Sequence, residues 1–593
     1  MVDTSNGRGY WSRNLEAVFS YIGVSVGLGN IWRFPYLCYQ NGGGAFLIPY
    51  TIMMVIIGMP LFFLELSVGQ FSSLGACSVW KLSPFFKGLG YTAASICAVV
   101  CIYYNMIVAY VLYYIYSSLT SHLPWADCNN EWNTPRCGKN MTNSSLSGNL
   151  TGNGSSFVFP SEEFWEGRVL QTSRTVENAG SMQIELFVAL TIAWILAFLC
   201  IVKGIKSSGK VMYFTASFPY VMLIILLVRG VTLPGSLDGI KYFLVPDFKR
   251  LAEPWVWGSA AAQIFYSLGP AWGSLITYSS FNQFHTNIQR DAIICTLIGC
   301  ATSVFAGLVV FSVVGFMAQE MGISVKDVIL PGPGLVFIVY PEALSRLPVA
   351  PLWSFLFFFM LLCVSLDSQF AQIQTVTTSL QDELPKVFGK RKMLASALVC
   401  IILFLLGIPQ CFQNGIHTVT LLDWAAGSYP LLVVGLLEVF VVNHVYGFRR
   451  FALDVKCMLG VSPNIFWKVC WLFLTPATIL LLVIFITLTY QPVSLGIYIF
   501  PDWAQSLGSA ISAMLLLWIP FWMLKRTITV WKSDVKEAQS EDTKWRKILS
   551  FMKAVLSPAS DWGPSQPEHR RKRDLIEEYG GVIPVEMEIY TST

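Results

Sequence analysis

The sequence predicts an all-α membrane protein with twelve transmembrane helices, and three observations lead to this prediction. Only 12% of the 593 residues are charged and 54% are hydrophobic, whereas soluble proteins average about 25% charged residues. Of the 74 charged residues, 22 lie in residues 526–593, which leaves 52 for the first 525 residues. Apolar runs long enough to cross about 30 Å of hydrocarbon recur along the chain. This composition excludes a cytosolic enzyme and a disordered protein, and the net charge of +4 does not suit a nucleic-acid binder.

The apolar runs are too long and too continuous for barrel strands, in which apolar and polar residues alternate over about ten positions. They therefore indicate helices. The predicted spans are 16–39, 44–66, 88–119, 184–202, 212–230, 258–282, 292–317, 352–381, 393–411, 416–445, 466–490 and 505–525.

Lys and Arg in the loops predict the orientation, because cytoplasmic loops carry the excess of positive charge. One alternate set of loops has 14 Lys and Arg in 66 residues, and the other set has 9 in 142. The basic set should be cytoplasmic, which places both termini of this multi-pass protein inside the cell. Its expected location is the plasma membrane. No cleavable signal peptide is expected, because residues 1–10 are polar.

The loop 121–183 falls on the extracellular side and has two further marks of that compartment. Cys128 and Cys137 are nine positions apart and are expected to form a disulfide in an oxidising compartment. Four glycosylation tripeptides lie close together, at Asn140, Asn143, Asn149 and Asn153. The other cysteines are interpreted as packing residues, and no CxxC or His/Cys cluster indicates a metal site.

Two spans are interrupted near their middle. The first contains Gly27 and Gly29, and the sixth contains Gly269 followed by Pro270. Proline removes a helix hydrogen bond and glycine tolerates unusual dihedral angles, so both segments are expected to unwind inside the membrane. Either interruption alone could be an ordinary kink.

Together the interruptions indicate a repeat. Spans 1–5 and 6–10 form units of similar length, and the first helix of each is the broken one. Paired breaks in corresponding positions are typical of transporters built from two inverted five-helix repeats, with the binding site at the breaks. The predicted division is a cytoplasmic N-tail (1–15), the two repeats (16–230 and 231–445), spans 11 and 12 (446–525) and a cytoplasmic C-tail (526–593).

Unwound carbonyls can bind sodium or an ammonium group, and unwound N–H groups can bind a carboxylate. The predicted ligand is therefore zwitterionic, like an amino acid. Asp367 lies inside the eighth span and needs a cation or a strong donor, although a structural hydrogen bond to a neighbouring helix is the alternative. Glu65 could equally be structural and cap unwound backbone. Other polar residues near the breaks are Asn30, Gln263, Ser267 and Ser368.

Several collinear motifs resemble the neurotransmitter:sodium symporter (solute carrier 6) family. They are Gly27 to Tyr36, Asn41 to Phe46, Gly204 to Lys210, Gln263 to Gly273 and Ser365 to Gln369. The similarity runs from about Arg8 to Arg570. Within the family the chain is most similar to the glycine transporters and the broad neutral and basic amino-acid transporter.

The resemblance implies a substrate site for a small amino acid. Gly27 stands where amine transporters have an aspartate, which leaves room for a substrate carboxylate. Trp272 would form a bulky wall of the pocket, although core packing is the default interpretation of a tryptophan in an apolar span. The implied substrate residues are Gly27, Leu28, Gly29, Tyr104, Tyr266, Trp272 and Ser365.

The resemblance also implies two sodium sites and a chloride site. The first sodium site would comprise Ser25, Asn30 and Ser267. The second would comprise Gly23, Val26, Val364, Asp367 and Ser368. The chloride site would comprise Tyr50, Gln263, Ser267 and Ser303.

One position departs from the family pattern at an ion site. Gly299 replaces an asparagine that would be shared by the first sodium and the chloride. This places the first sodium site and chloride dependence in doubt. It also suggests the alternative of a transport-deficient homologue that acts as a partner or sensor.

The resemblance implies two gates. Arg33 and Asp423 would form the extracellular ion pair, and Arg8 and Asp382 the cytoplasmic one. Without the family pattern, Arg8 would be one more positive charge on the cytoplasmic side. Phe281 replaces the tyrosine expected to brace the inner pair.

The predicted function is sodium-coupled, chloride-dependent import of glycine or small neutral amino acids by alternating access. The expected partners are the amino acid, sodium and chloride ions and the lipid bilayer, with no nucleic acid. No ATP-binding GxxxxGK[ST] motif and no nucleophile–base constellation occurs, so neither a primary pump nor an enzyme is expected.

Overall fold

A computed structural model describes residues 9–138, 158–173, 175–202, 204–325, 334–389, 391–427, 429–489, 491–496, 498–537 and 544–579. Within these ranges, ten helices are long and apolar enough to cross a membrane. They are Gly44–Ser72, Pro84–Ser117, Ile184–Ile201, Gly209–Val231, Ile288–Glu320, Ala350–Glu383, Lys392–Cys411, Gly415–Leu459, Ile465–Leu488 and Asp502–Ser533.

The first span is broken where the glycines predict. Asn14–Ser25 and Gly29–Gln40 are separate helices that meet at an angle of 46°. The second piece opens with a π-helical turn, Gly29–Arg33. Counted as one span, this pair raises the number of candidate spans in the described residues to eleven.

The segment predicted as the sixth span is also divided. It comprises the helices Pro254–Leu268 and Ser274–Ser279, separated by five residues. Gly269, Ala271 and Gly273 have φ angles of 69°, 68° and 74°. This left-handed backbone ends one helix and starts another, which explains why neither piece is long enough to span alone. The count of twelve spans stays a prediction.

The remaining described elements are short and lie in the connections. The helical ones are Ser78–Leu82, Pro160–Glu163, Phe164–Val169, Ser236–Leu244, Phe248–Ala252, Leu335–Val339, Tyr340–Ser345, Pro385–Phe388, Lys544–Leu556 and Pro567–Glu578. Strands Ser494–Leu495 and Tyr498–Ile499 form an antiparallel hairpin in which Ser494 pairs with Ile499.

The centre of the bundle is formed by the third and eighth spans, Pro84–Ser117 and Ala350–Glu383, which pack against each other. Each has buried polar residues within an otherwise apolar core, exemplified by Asn105 and Gln369. The last two candidate spans are the most peripheral. Only 28% of the Ile465–Leu488 apolar window and 17% of the Asp502–Ser533 window are buried, so their other residues face lipid.

The predicted disulfide is present in the loop before the fourth span. Cys128 and Cys137 are bonded, with their Cα atoms 5.7 Å apart. The predicted glycosylation sites lie outside the described residues, as does Arg8. The twelve other cysteines are free thiols and are buried or half-buried, as packing residues should be.

A helix of the C-terminal tail packs against the membrane domain. In the Pro567–Glu578 helix, Arg573 Nε donates to the buried Asp454 carboxylate at 2.9 Å. His569 stacks on Phe284, with ring centroids 4.0 Å apart, and packs edge-on against His285 at 5.3 Å. The basic run of the tail is therefore held against the protein rather than fully solvated.

We predict that acidification loosens this helix. Burial, followed by the charges of His285 and Lys572, lowers the pKa of His569 from its ordinary value to about 4. An undocked tail would bind a proton near pH 6.5, so docking should weaken progressively as the pH falls from about 6.5 towards 4. Hydrogen exchange of residues 567–578 should accelerate between pH 7.5 and 5.5, after correction for intrinsic rates.

The matched control is His569→Phe, which keeps an aromatic ring beside Phe284 but cannot titrate. Hydrogen exchange of residues 567–578 in this variant, corrected for intrinsic rates, should vary less with pH than in the unaltered protein. Equal pH dependence in the two proteins would contradict the assignment to His569.

Candidate functional site

The two breaks meet at a central cavity of about 540 Å³. Six of the seven predicted substrate residues line it, namely Gly27, Leu28, Gly29, Tyr104, Tyr266 and Trp272. The seventh does not. The buried Ser365 hydroxyl donates to the Leu361 carbonyl at 2.7 Å within its own helix and is not among the lining residues.

Gly27 is required by close packing between the first and eighth spans. A Cβ atom at this position would lie 2.8 Å from the Ser368 hydroxyl and 4.0 Å from the Tyr104 hydroxyl. Its own N–H donates to Asn30 Oδ1 at 3.0 Å, which closes the unwound turn on itself. An aspartate here, as in amine transporters, would have no room without displacing Ser368.

Several buried polar atoms on the cavity wall have no hydrogen-bond partner within the described part of the chain. The Tyr104 hydroxyl is one of them, and it faces Leu28 and Ser368. The others are the Tyr110 hydroxyl, Ser274 Oγ, Gln372 Oε1 and Arg33 Nη1. Because unpaired buried polar groups are costly, a wall of them fits a polar ligand. Sequence reasoning missed Ser274 and Gln372, since neither stands at a break.

The side chains predicted for chloride converge beside the cavity. The Tyr50 hydroxyl lies 3.0 Å from Ser303 Oγ and 3.3 Å from Ser267 Oγ. Gln263 instead donates through Nε2 to the Gly29 carbonyl at 2.9 Å, and its Oε1 is unpaired among the described residues. Asn30 Nδ2 donates to Ser303 Oγ at 2.9 Å, which joins the predicted first sodium and chloride sites.

At Gly299 the backbone carbonyl forms hydrogen bonds with two residues of the predicted ion sites. Its carbonyl accepts from Asn30 Nδ2 at 3.2 Å and from Ser303 Oγ at 3.2 Å. A Cβ at this position would lie 2.9 Å from Leu268 Cδ2 and 3.3 Å from the Ser25 carbonyl oxygen. Leu268 therefore fills the space that an asparagine would need.

The residues predicted for the second sodium form a compact contact between the first and eighth spans. Gly23 approaches so closely that a Cβ there would lie 3.1 Å from Asp367 Cβ. The Ser368 hydroxyl lies 3.5 Å from the Gly23 carbonyl, and the side chains of Val26 and Val364 are buried nearby in the core. Asp367 accepts a hydrogen bond from Thr215 of the fifth span. No sequence signal identified Thr215.

Above the cavity, tyrosines connect the predicted outer gate. Tyr103 donates to Asp423 at 2.7 Å, and Tyr266 donates to the same oxygen at 3.3 Å. The Arg33 guanidinium lies 3.5 Å from the centroid of the Tyr266 ring. Among the described residues, Arg33 and Asp423 do not come within the 4.0 Å of an ion pair, so Tyr266 separates the predicted partners.

At the end of the bundle that is predicted to be cytoplasmic, Trp11 fixes the start of the first span. Its backbone N–H donates to the Phe281 carbonyl and its indole N–H to the Tyr278 carbonyl, both at 3.1 Å. Asp382 accepts from the Gly75 N–H at 2.9 Å. Its predicted partner Arg8 is outside the described residues.

Glu65 supports the second break. Its carboxylate accepts a hydrogen bond from the Ala271 N–H at 2.5 Å, where the backbone is left-handed. Glu65 is fully buried and lies on the unbroken second span. The structural alternative considered for Glu65, a cap on unwound backbone, matches this contact.

A profile of the sodium:neurotransmitter symporter family matches residues 8–530. The chain belongs to this family. Membership implies coupling to sodium and, usually, to chloride, and the named relatives are transporters rather than enzymes.

Three relatives from this symporter family match almost the whole chain. The sodium- and chloride-dependent glycine transporter 1 of Xenopus laevis is 44% identical over 95% of this chain and 90% of its own length. The sodium- and chloride-dependent glycine transporter 2 of the same species is 42% identical over 98% of this chain and 75% of its own length. The sodium- and chloride-dependent neutral and basic amino acid transporter B(0+) of Mus musculus is 42% identical over 97% of this chain and 92% of its own length.

We predict that Glu65→Ala destabilises the protein by about 1–3 kcal/mol, the cost of leaving the buried Ala271 N–H without an acceptor. Glu65→Gln should lose less, because its amide oxygen can still accept that hydrogen bond. Thermal unfolding in detergent, followed by tryptophan fluorescence, compares the two. A Glu65→Gln protein that melts as low as Glu65→Ala would show that the charge, not the hydrogen bond, is what matters.

Proposed function

We propose that this symporter imports glycine or another small neutral amino acid together with sodium and chloride. The observation on which this proposal depends is the cavity at the paired breaks, with Gly27 and the unpaired Tyr104 hydroxyl on its wall. The proposal includes twelve spans in two inverted repeats, with the domain boundaries predicted above, in the plasma membrane with both termini cytoplasmic. The broken first and sixth spans support it.

The substrate would bind through both of its charged groups. Its carboxylate would accept from the Tyr104 hydroxyl and from the N–H groups of Leu28 and Gly29. Gly27 brings no acidic side chain to the cavity that it lines, which suits a carboxylate and not the ammonium of a bare amine. Trp272 lines the same cavity and would limit the size of the substrate side chain.

Two sodium ions would be held by hard oxygens near the breaks, and chloride by the hydroxyl cluster. The first sodium would bind Ser25, Asn30 and Ser267, and the second would bind Asp367 with its neighbours. For chloride, the convergence of Tyr50, Ser267 and Ser303 supports the site. The sodium gradient would drive uptake, since one charge moved inward through 100 mV releases about 2.3 kcal/mol before any concentration difference.

Access would alternate between the two gates. Outside, closing would require Tyr266 to move from between Arg33 and Asp423, so that these side chains meet over the substrate. Inside, Trp11 would hold the first span against residues 278–281, and Arg8 would pair with Asp382. The contacts of Trp11 with the Tyr278 and Phe281 carbonyls support a closed cytoplasmic side.

The alternative, a transport-deficient partner or sensor, is not favoured. It depended on Gly299, yet the Gly299 carbonyl and Ser303 still engage Asn30. The named relatives are transporters along nearly the full length of this chain.

Radiolabelled uptake tests the proposal, with cells in sodium, lithium or choline medium. Glycine and alanine should enter in a sodium-dependent way, and dopamine and serotonin should not. Asp367→Asn should raise the sodium concentration for half-maximal uptake by about tenfold or more, since one lost charge-assisted contact costs about 1.5–3 kcal/mol.

The matched control is Asp291→Asn, which alters another buried aspartate, located at the start of the seventh span and bonded to Arg290. Its sodium dependence should stay near that of the unaltered protein at equal surface expression. An unchanged sodium curve for Asp367→Asn would refute the second sodium site. Better uptake of dopamine or serotonin than of the amino acids would refute the substrate class.

A further prediction concerns Gly299. The unaltered protein should show weak apparent sodium affinity and reduced chloride dependence, because glycine offers neither ion a side chain. Gly299→Asn should strengthen both, with the larger gain when Leu268→Val removes the carbon that would crowd the new side chain. The measurement is uptake against sodium, and against chloride replaced by gluconate, for the unaltered, single and double variants. Leu268→Val alone is the control and should shift neither curve towards tighter binding.

Ordinary chloride dependence in the unaltered protein, with no effect of Gly299→Asn on either ion curve, would overturn this prediction. It would mean that the Gly299 carbonyl and its neighbours suffice.

A further inference from the structure

The C-terminal tail contains two basic segments, and the structure gives them different surroundings. The run from His569 to Arg573 is docked on the protein through Phe284 and Asp454. The other segment is the Lys544–Leu556 helix. It contains four Lys and Arg residues and no Asp or Glu. A basic segment of this kind at a membrane surface is typical of an element that contacts anionic lipid.

The position of this helix relative to the membrane is set by its contact with the preceding span. Residues 503–524 contain no charged residue, and 22 helical residues cover about 33 Å, close to the thickness of the hydrocarbon layer. Lys525 and Arg526 therefore mark its edge. Arg526 Nη2 donates to the Ala554 carbonyl at 3.1 Å, and Ser83 Oγ donates to the Leu556 carbonyl at 3.3 Å. The C-terminal end of the helix is thereby fixed at the membrane boundary.

The described side chains of the helix differ in exposure along its length. Val555, near the C-terminal end, is buried against the protein, with 5% of its surface exposed. Ile548, Leu549 and Met552 are 41%, 64% and 53% exposed. At 100° per residue these three occupy one arc of about 100°, with Val555 about 20° beyond one edge, Lys553 about 40° beyond the other, and Ser550 about 150° from its centre. The apolar side of the helix thus meets the protein at its C-terminal end and is uncovered over the preceding turns, and Ser550 lies on the opposite, polar side.

The preceding helix also has exposed apolar residues beyond the membrane edge. On Trp518–Glu537, Ile528 and Trp531 lie beyond that edge and are 42% and 59% exposed. The two helices pack against each other. Exposed apolar residues just beyond a lipid-facing span, on a helix whose own sequence has four cationic residues and no acidic one, match the boundary between headgroups and acyl chains.

We propose that the Lys544–Leu556 helix lies in the headgroup layer of the cytoplasmic leaflet and binds anionic phospholipid. Ile548, Leu549 and Met552 insert into the acyl boundary, and Lys553 contacts the headgroup phosphates. The assignment to the cytoplasmic leaflet rests on the proposed orientation of the chain, whereas insertion of the helix into a leaflet does not.

The test uses the full-length protein in nanodiscs, with a fluorophore on Leu549→Cys or on Ser550→Cys. The two positions are adjacent but lie on the apolar and the polar face. Discs contain phosphatidylcholine alone or with phosphatidylserine, and brominated lipid or aqueous iodide serves as the quencher. The unaltered protein, labelled in parallel, corrects for the half-buried Cys200 and Cys300.

Brominated lipid should quench the label at Leu549 about threefold or more above the label at Ser550, and iodide should show the reverse order. Phosphatidylserine should increase the lipid quenching at Leu549, and Lys553→Glu should reduce that increase. These outcomes are independent of transport, so a failure of the proposed function would be seen separately in uptake.

Equal quenching at the two positions would overturn the proposal. Strong iodide quenching at Leu549 in nanodiscs, together with protection in cell membranes, would also overturn it and assign the face to a protein partner. Equal lipid quenching with and without phosphatidylserine would refute the anionic-lipid contact.

Discussion

Unwound backbone in the middle of a membrane must find hydrogen-bond partners inside the protein, because the hydrocarbon offers none, and each unpaired group costs several kcal/mol. Here the partners come from other spans. Glu65 on the unbroken second span accepts from the Ala271 N–H in the sixth-span break. Gln263, which lies on the sixth span itself, donates to the Gly29 carbonyl in the first-span break. Each break is thus stabilised by a side chain from another span.

Further hydrogen bonds from the broken segments position the rest of the site. Asn30 closes the first break through the Gly27 N–H and reaches the seventh span at Gly299 and Ser303. Ser303 in turn contacts Tyr50 on the second span. The polar groups of four spans are therefore linked without leaving the hydrocarbon layer. Loss of one member would leave others unpaired, which makes the network sensitive to single substitutions.

Close approach of backbones is the second constraint, and glycine permits it. Gly23 and Gly27 both lie against the eighth span, where a Cβ would come within 3.1 Å of Asp367 and 2.8 Å of Ser368. The same packing brings Asp367 next to the first break and to Thr215. Where an asparagine is expected by family resemblance, Gly299 lies so close to another span that a Cβ there would be 2.9 Å from Leu268 Cδ2.

Composition and hydropathy alone determined the membrane class, most of the spans and the position of both breaks, since burial in lipid imposes length and polarity on each segment separately. The cysteine pair was also predictable, because both residues lie in one short polar loop. The family motifs added most of the cavity wall, including Tyr104 and Trp272.

Only the tertiary structure decided which groups meet across helices. In it the Ser365 hydroxyl donates to a carbonyl of its own helix, and Tyr266 separates Arg33 from Asp423. Tyr103 donates to Asp423, and Thr215 donates to Asp367. The tertiary structure also docked His569 on the protein and left Leu549 uncovered. These outcomes depend on the rotation and contact of helices far apart in sequence, and hydropathy reports how deeply a segment is buried but not which neighbour it faces.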